Sequence, residues 1–132
     1  MAGVSFDTGV LIGLERGEHA AWAWLKRAAE RGKPPLVSAV AVAEASRGGA
    51  RSQPLLARAL RACDVRPLDE RLARMAGAAL ASVGGGAGTV DAIVAATAAD
   101  AGALLVTGDP DDMAPLAERH FRALRLAILR HA

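Results

Sequence analysis

A-L-L-V-T-G-D-P-D-D, residues 103–112, is the stretch that decides the fold. Its first five residues form an apolar run with no polar alternation. Such a run predicts a strand buried on both faces, as in a parallel sheet covered by helices. An acid, Asp109, follows at once, and Pro110 then suits the first turn of a helix. The same order, apolar strand then acid then helix, recurs at the N-terminal end. There residues 3–7 (GVSFD) read as a short strand ending on Asp7, and residues 8–16 as a first helix.

Between these two units the chain alternates in the same way. Residues 18–31 are helical by pattern, with Ala21, Trp24, Leu25 and Ala28 at spacings of three and four. Gly32 and Pro34-Pro35 stop that helix, and Leu36-Val37 is a second strand. Ser38 caps a helix to about Arg47, which Gly48-Gly49 ends. Helix 54–62, strand 64–67 and helix 69–81 follow, the last with Leu72, Met75, Ala76, Ala79 and Leu80 on one face. Gly84–Gly88 is a loop, Thr89 caps a helix to about Ala101, and residues 124–129 form a final strand. Strands alternating with helices predict a single α/β domain over residues 1–132, with a mostly parallel central sheet.

Composition narrows the class. A hydrophobic fraction of 52% with 23% charged residues belongs to a globular chain rather than a disordered one. Aromatics are only 3%, so helices packed through Ala faces fit the inventory. Cys63 is the single cysteine, which excludes an internal disulfide, and a reducing cytoplasm is the expected compartment. The apolar runs are too short to span a bilayer, so no membrane role is expected. Net charge is +2, from 16 basic and 14 acidic residues, and 14 of the basic residues are Arg. With four acids set aside as cation ligands, the remainder is 16 basic against 10 acidic. Guanidinium forks match phosphate oxygens, although Arg also keeps an Ala-rich helical protein soluble.

Those four acids are Asp7, Glu44, Asp91 and Asp109, each at the end of an apolar run or inside one. A carboxylate there is costly unless hydrogen bonds, a cation or water takes its charge. Three have a capping explanation when taken singly. Asp7 can cap the first helix, Asp91 lies in a first turn where the helix dipole favours it, and Asp109 precedes Pro110 as a cap would. Glu44 has none, being surrounded by Val40, Ala41, Ala43 and Ala45. Jointly they have one reading. In an open α/β sheet, ligands bind beyond the carboxyl ends of the strands. Gathered carboxylates need a counter-charge, and an oxygen-only set suits Mg²⁺ or Mn²⁺. No His or Cys lies in these motifs, which argues against zinc; His19, His120 and His131 are read as surface residues.

Four motifs then stand in order: F-D-T-G-V-L-I at 6–12, S-A-V-A-V-A-E at 38–44, T-V-D-A-I-V-A-A-T-A at 89–98 and L-V-T-G-D-P-D-D-M at 105–113. In this order the chain resembles PIN-domain proteins, and among them toxin nucleases of the VapC type. The resemblance implies a three-layer α/β/α sandwich and Mg²⁺- or Mn²⁺-dependent hydrolysis of RNA. It carries the family's catalytic and metal-binding acids onto Asp7, Glu44, Asp91 and Asp109. Asp112 is implied as an auxiliary acid, with Thr8 and Thr107 as hydroxyls beside the site. It also implies a small VapB-like antitoxin and a homodimer. One position departs from the pattern: where the family often has Ser or Asn, position 9 is Gly, which is expected to remove a polar contact and loosen the first turn.

Further expectations follow from single residues. Arg47 and Arg51, close after Glu44, could steer an RNA backbone or simply end a solvated helix. Trp22 and Trp24 cannot share a helix face, so one is expected in the core and the other exposed or on a partner. Three rival readings fit the residues less well. A catalytically inactive PIN-like interaction module is opposed by the presence of all four acids. A phosphotransfer domain with Asp7 as nucleophile lacks a second acid beside it and a suitable Lys. A nucleotide loop at Gly84–Gly88 follows a helix rather than a strand and lacks a following Gly-Lys-Ser/Thr.

Overall fold

The computed structural model describes residues 3–46 and 52–130. Its elements run β1 (Val4–Phe6), α1 (Thr8–Glu15), α2 (His19–Glu30), β2 (Leu36–Ser38), α3 (Ala39–Ser46) and α4 (Pro54–Leu60). Then follow β3 (Asp64–Arg66), α5 (Glu70–Val83), α6 (Thr89–Ala101), β4 (Leu104–Thr107), α7 (Pro110–Arg119) and β5 (Leu126–Ile128). The alternation expected from the sequence is present throughout. The sheet is parallel at every pairing, in the order β3-β2-β1-β4-β5.

That order fixes where helices and ligands go. From β1 the chain steps outward through β2 to β3, then returns to the other side of β1 for β4 and β5. Right-handed crossovers in opposite directions put their helices on opposite faces. Accordingly α1 packs with α2, α3 and α4, while α5, α6 and α7 pack on one another. The result is the expected three-layer α/β/α sandwich. The direction reverses between β1 and β4, and in doubly wound sheets the crevice at that reversal is the ligand site. Asp7 follows β1 and Asp109 follows β4.

The core explains the Ala-rich composition. Phe6, Leu11, Leu14, Leu105, Met113 and Leu116 are fully buried. Helix α6 is buried on every side from Ala92 to Ala98. A helix enclosed all round must be apolar all round, and small side chains let α5 and α7 approach it. Its one polar interior residue, Thr97, donates its hydroxyl to the Ile93 carbonyl at 2.8 Å.

Several boundaries differ from the sequence reading. Helix α5 runs on to Val83, because Leu72, Ala76, Ala79 and Val83 continue one buried face. It ends where Gly84 adopts φ 71°; Gly85 and Gly86 also take positive φ, so this loop relies on glycine. Gly88, not Thr89, occupies the N-cap of α6. Strand β5 is shorter than 124–129, since Leu124 closes a turn onto the Phe121 carbonyl. The helix end assigned to Arg47 and Gly48-Gly49 lies outside the described residues, as do Arg51 and His131. Both tryptophans are half-buried against the core, so neither is the exposed one expected. Trp22 donates its indole N–H to the Leu14 carbonyl at 3.0 Å, and the Arg27 guanidinium lies 4.3 Å from the Trp24 ring. Among the described residues, no helix is long and apolar enough to cross a membrane.

Candidate active site

Asp7 is placed by two roles at once. As the N-cap of α1 it accepts the Val10 N–H at 3.1 Å through Oδ1. Across the sheet edge the Gly108 N–H reaches both carboxylate oxygens, at 3.3 and 3.2 Å. That second bond ties the end of β1 to the end of β4. It depends on close backbone approach: a Cβ at Gly9 would stand 3.3 Å from both Asp7 Oδ1 and Gly108 Cα. Gly9 therefore does more than omit a polar side chain. Its N–H also helps hold the Asp7 carboxylate, and the first turn of α1 is intact.

Burial pushes the Asp7 carboxyl above its ordinary value. The Thr107 hydroxyl and the N–H groups of Val10, Gly108 and Gly9 act in the opposite sense by stabilising the anion. Thr107 is itself fully buried, and its Oγ1 accepts the Asp109 N–H at 2.9 Å. Thr107 thus couples the two strand-end acids. Thr8 is the other such hydroxyl. Among the described residues, its Oγ1 is the one buried side-chain polar atom without a hydrogen-bond partner.

Asp91 is the meeting point of the set. It lies in the first turn of α6 and is half-buried. Its carboxyl is raised from 3.8 to about 6, first by burial and then by the negative charges of Asp112, Asp109, Glu44 and Asp7. All four acids singled out from the sequence therefore share one neighbourhood, with Asp112 as a fifth and as the strongest charge acting on Asp91. Glu44 joins them because α3 packs against α6. Asp109 occupies the N-cap position of α7 but makes no capping bond there. It shares a hydrogen bond with Asp112 instead, and that bond, burial, and the charges of Asp112, Asp7 and Asp111 raise its carboxyl. Capping thus accounts in part for Asp7 and not for Asp109, while Asp91 does lie in the first turn of α6, where the helix dipole favours it.

The five carboxylates are neighbours rather than a closed cage. Among the described residues, no three His, Cys, Asp or Glu side chains converge closely enough to hold a metal ion as they stand. The physics of unneutralised acids fits this, because like charges favour rotamers that keep them apart. The donor set is oxygen only, which matches hard cations. The Gly108 N–H was not singled out from sequence. The tight position of the pair is Gly9, whose added Cβ would crowd Gly108, whereas a Cβ at Gly108 would meet Gly9 at an ordinary 3.5 Å.

A sequence profile of the PIN domain matches residues 4–118. No curated protein sequence matches the chain. Among solved structures, VapBC2 from Rickettsia felis bound to a DNA fragment from their promoter is 16% identical, with a TM-score of 0.73 over 96% of this chain and 98% of that one. FitAB bound to an IR36 DNA fragment is 19% identical, with a TM-score of 0.66 over 98% of this chain and 96% of that one. At these identities the likeness is one of fold.

Proposed function

The chain belongs to the PIN-domain family, and from that membership we propose that it is a Mg²⁺- or Mn²⁺-dependent endoribonuclease, the toxin of a VapBC-type toxin–antitoxin pair. The observation that carries the reading is the gathering of Asp112, Asp109, Glu44 and Asp7 around Asp91, with Asp7 and Asp109 following the strands at the β1/β4 reversal. A site that concentrates acids where the fold binds ligands is suited to a cation and to a phosphate brought by it.

In this reading Asp7 and Asp91 are the main metal ligands, and Glu44 and Asp109 complete the sphere directly or through water. Asp112 and the hydroxyls of Thr8 and Thr107 support them. A bound divalent ion supplies charge neutralisation at the scissile phosphate and lowers the pKa of its water. The protein's own contribution is positioning. The Val10 and Gly108 N–H groups fix the Asp7 carboxylate, so it is presented without rotamer freedom. Glu44 and Asp109 orient the attacking water. The Thr8 hydroxyl is buried beside the site without a hydrogen-bond partner.

The partner assignment is supported by the neighbours VapBC2 and FitAB, both seen bound to DNA. We propose a VapB-like antitoxin, a homodimer and a cytoplasmic location. Cys63 suits a reducing compartment, as a half-buried thiol pushed by burial to about 11 and therefore unreactive. The test is Asp7→Asn, which keeps shape and removes charge. RNA cleavage in Mn²⁺ should fall by about two orders of magnitude or more, and the Mn²⁺-induced rise in melting temperature should disappear. Cleavage undiminished in Asp7→Asn, with metal controlled, would overturn the catalytic assignment of Asp7, and a wild type that cleaves no RNA would favour the inactive interaction module.

A further inference from the structure

We propose that Arg130 is the phosphate-binding residue that seats the RNA backbone beside the acid cluster, an inference that rests on the ribonuclease reading above. The cluster is built from five acids, and no motif that forms it contains a basic residue. A polyanion approaching it needs a fixed positive charge at its margin as well as bound cations.

The fold leaves few candidates. In strand order, the residues at the carboxyl ends are Arg66, Ser38, Phe6, Thr107 and Ile128. The acids Asp7 and Asp109 therefore occupy the middle, with arginine at the two flanks. On the β3 flank Arg66 is committed to Asp64, at 2.9 Å. On the β5 flank Ile128 pairs with Thr107, and the Leu129 N–H bonds the Thr107 carbonyl at 2.7 Å. Leu129 is buried and pins the chain there, so Arg130 emerges next to the Thr107–Asp109 turn. Arg130 is exposed and, among the described residues, has no ion pair. The other arginines of this region are elsewhere or occupied. Arg119 donates to the Val83 carbonyl. Arg122 and Arg125 line a cavity with Gly102 and Ala103 at the opposite, amino edge.

Two strand spacings separate β5 from β1, about 10 Å. Arg130 is thus too far from Asp7 to neutralise it and near enough to hold a phosphate next along the strand from the one cleaved. A guanidinium fork suits that role, since it is always charged and can bind two phosphate oxygens together.

The test uses the full chain carrying Asp91→Asn, so that RNA is bound without being cut, and a short labelled single-stranded RNA of random sequence. Binding is followed by fluorescence anisotropy over a series of potassium chloride concentrations. Adding Arg130→Gln should weaken binding about five- to tenfold and reduce the slope of log affinity against log salt by about 0.7. Arg130→Lys should restore the slope and only part of the affinity. Arg125→Gln removes the same charge at the amino edge and should change neither. If Arg130→Gln and Arg125→Gln behave alike, the inference is overturned and the ribonuclease reading stands. If the Asp91→Asn parent binds no RNA at any salt and the wild type in Mn²⁺ neither binds nor cleaves it, the ribonuclease reading fails and takes this inference with it.

Discussion

Replacing Asp91 by Asn should make the metal-free protein more stable while removing its response to metal. The reasoning starts from the folded-state carboxyl, raised from 3.8 to about 6. Folding therefore favours the protonated form. The associated stability is fully present below 3.8 and is lost as pH rises through about 6. At about 1.36 kcal/mol per unit the shift corresponds to about 3 kcal/mol. Asp91 is only half-buried, and solvent screening reduces this to about 1 kcal/mol. Above pH 7 the wild type carries that whole penalty and the Asn variant carries none. For a chain of this size the variant should melt about 4 °C higher at neutral pH in EDTA. Near pH 4, where Asp91 is protonated in the folded state and partly so in the unfolded state, the gap should largely close. The raised carboxyls of Asp7 and Asp109 are common to both proteins, so they largely cancel in the comparison. With Mn²⁺ at about a hundred times its dissociation constant, the wild type should gain about 2.7 kcal/mol and overtake the variant. Thermal unfolding followed by circular dichroism reads all three conditions. A variant less stable than wild type in EDTA at neutral pH, or a gap unchanged near pH 4, would refute the electrostatic account. A full Mn²⁺ shift in the variant would remove Asp91 from the ligand set.

Two further outcomes concern single residues. Thr8→Val keeps the branched shape and deletes the unpartnered hydroxyl. Leaving such a group buried costs about 1–3 kcal/mol, so the variant should melt at or above the wild-type temperature while cleaving RNA more slowly. A lower melting temperature would mean that the hydroxyl is already satisfied in the metal-free fold. Asp69→Ala removes the carboxylate that accepts the Leu72 N–H at 2.8 Å and starts α5. It should lower stability by about 1 kcal/mol in urea melts without altering Mn²⁺ binding, and a changed metal affinity would tie α5 to the site.

How much of this was legible in the sequence depended on whether a signal was local. The apolar run before Thr107 announced a buried parallel strand, because burial on both faces leaves no polar alternation. The strand-end acids were equally visible as charges where charge is costly. The sheet order was not, since pairing joins residues as far apart as Val4 and Leu104. Without the order, the reversal between β1 and β4 could not be located. Capping was misread for the same reason. Thr89 is a good cap by type, yet Gly88 holds that position, and Asp109 takes a cap position without capping. Its carboxyl is engaged with Asp112, a preference that appears only once the acids share a site. The tryptophans were misplaced because helical spacing tells which faces differ, not how widely a neighbouring layer wraps the helix.

The arrangement also explains why the acids cluster despite their mutual repulsion. Each is held by a feature the fold needs anyway. Asp7 caps α1 and ties β1 to β4 through Gly108. Asp91 begins the enclosed helix α6, Asp109 begins α7, and Glu44 rides on α3 where it meets α6. Removing any one charge relieves the others, yet moving any one backbone would disturb a packed helix or a strand pairing. The strain is therefore confined to side chains, which can relax by proton uptake or by sharing a cation, while the backbone frame stays fixed. In the proposed reading such a frame holds its acids ready for a bound charge, and their mutual repulsion supplies part of the drive to bind it.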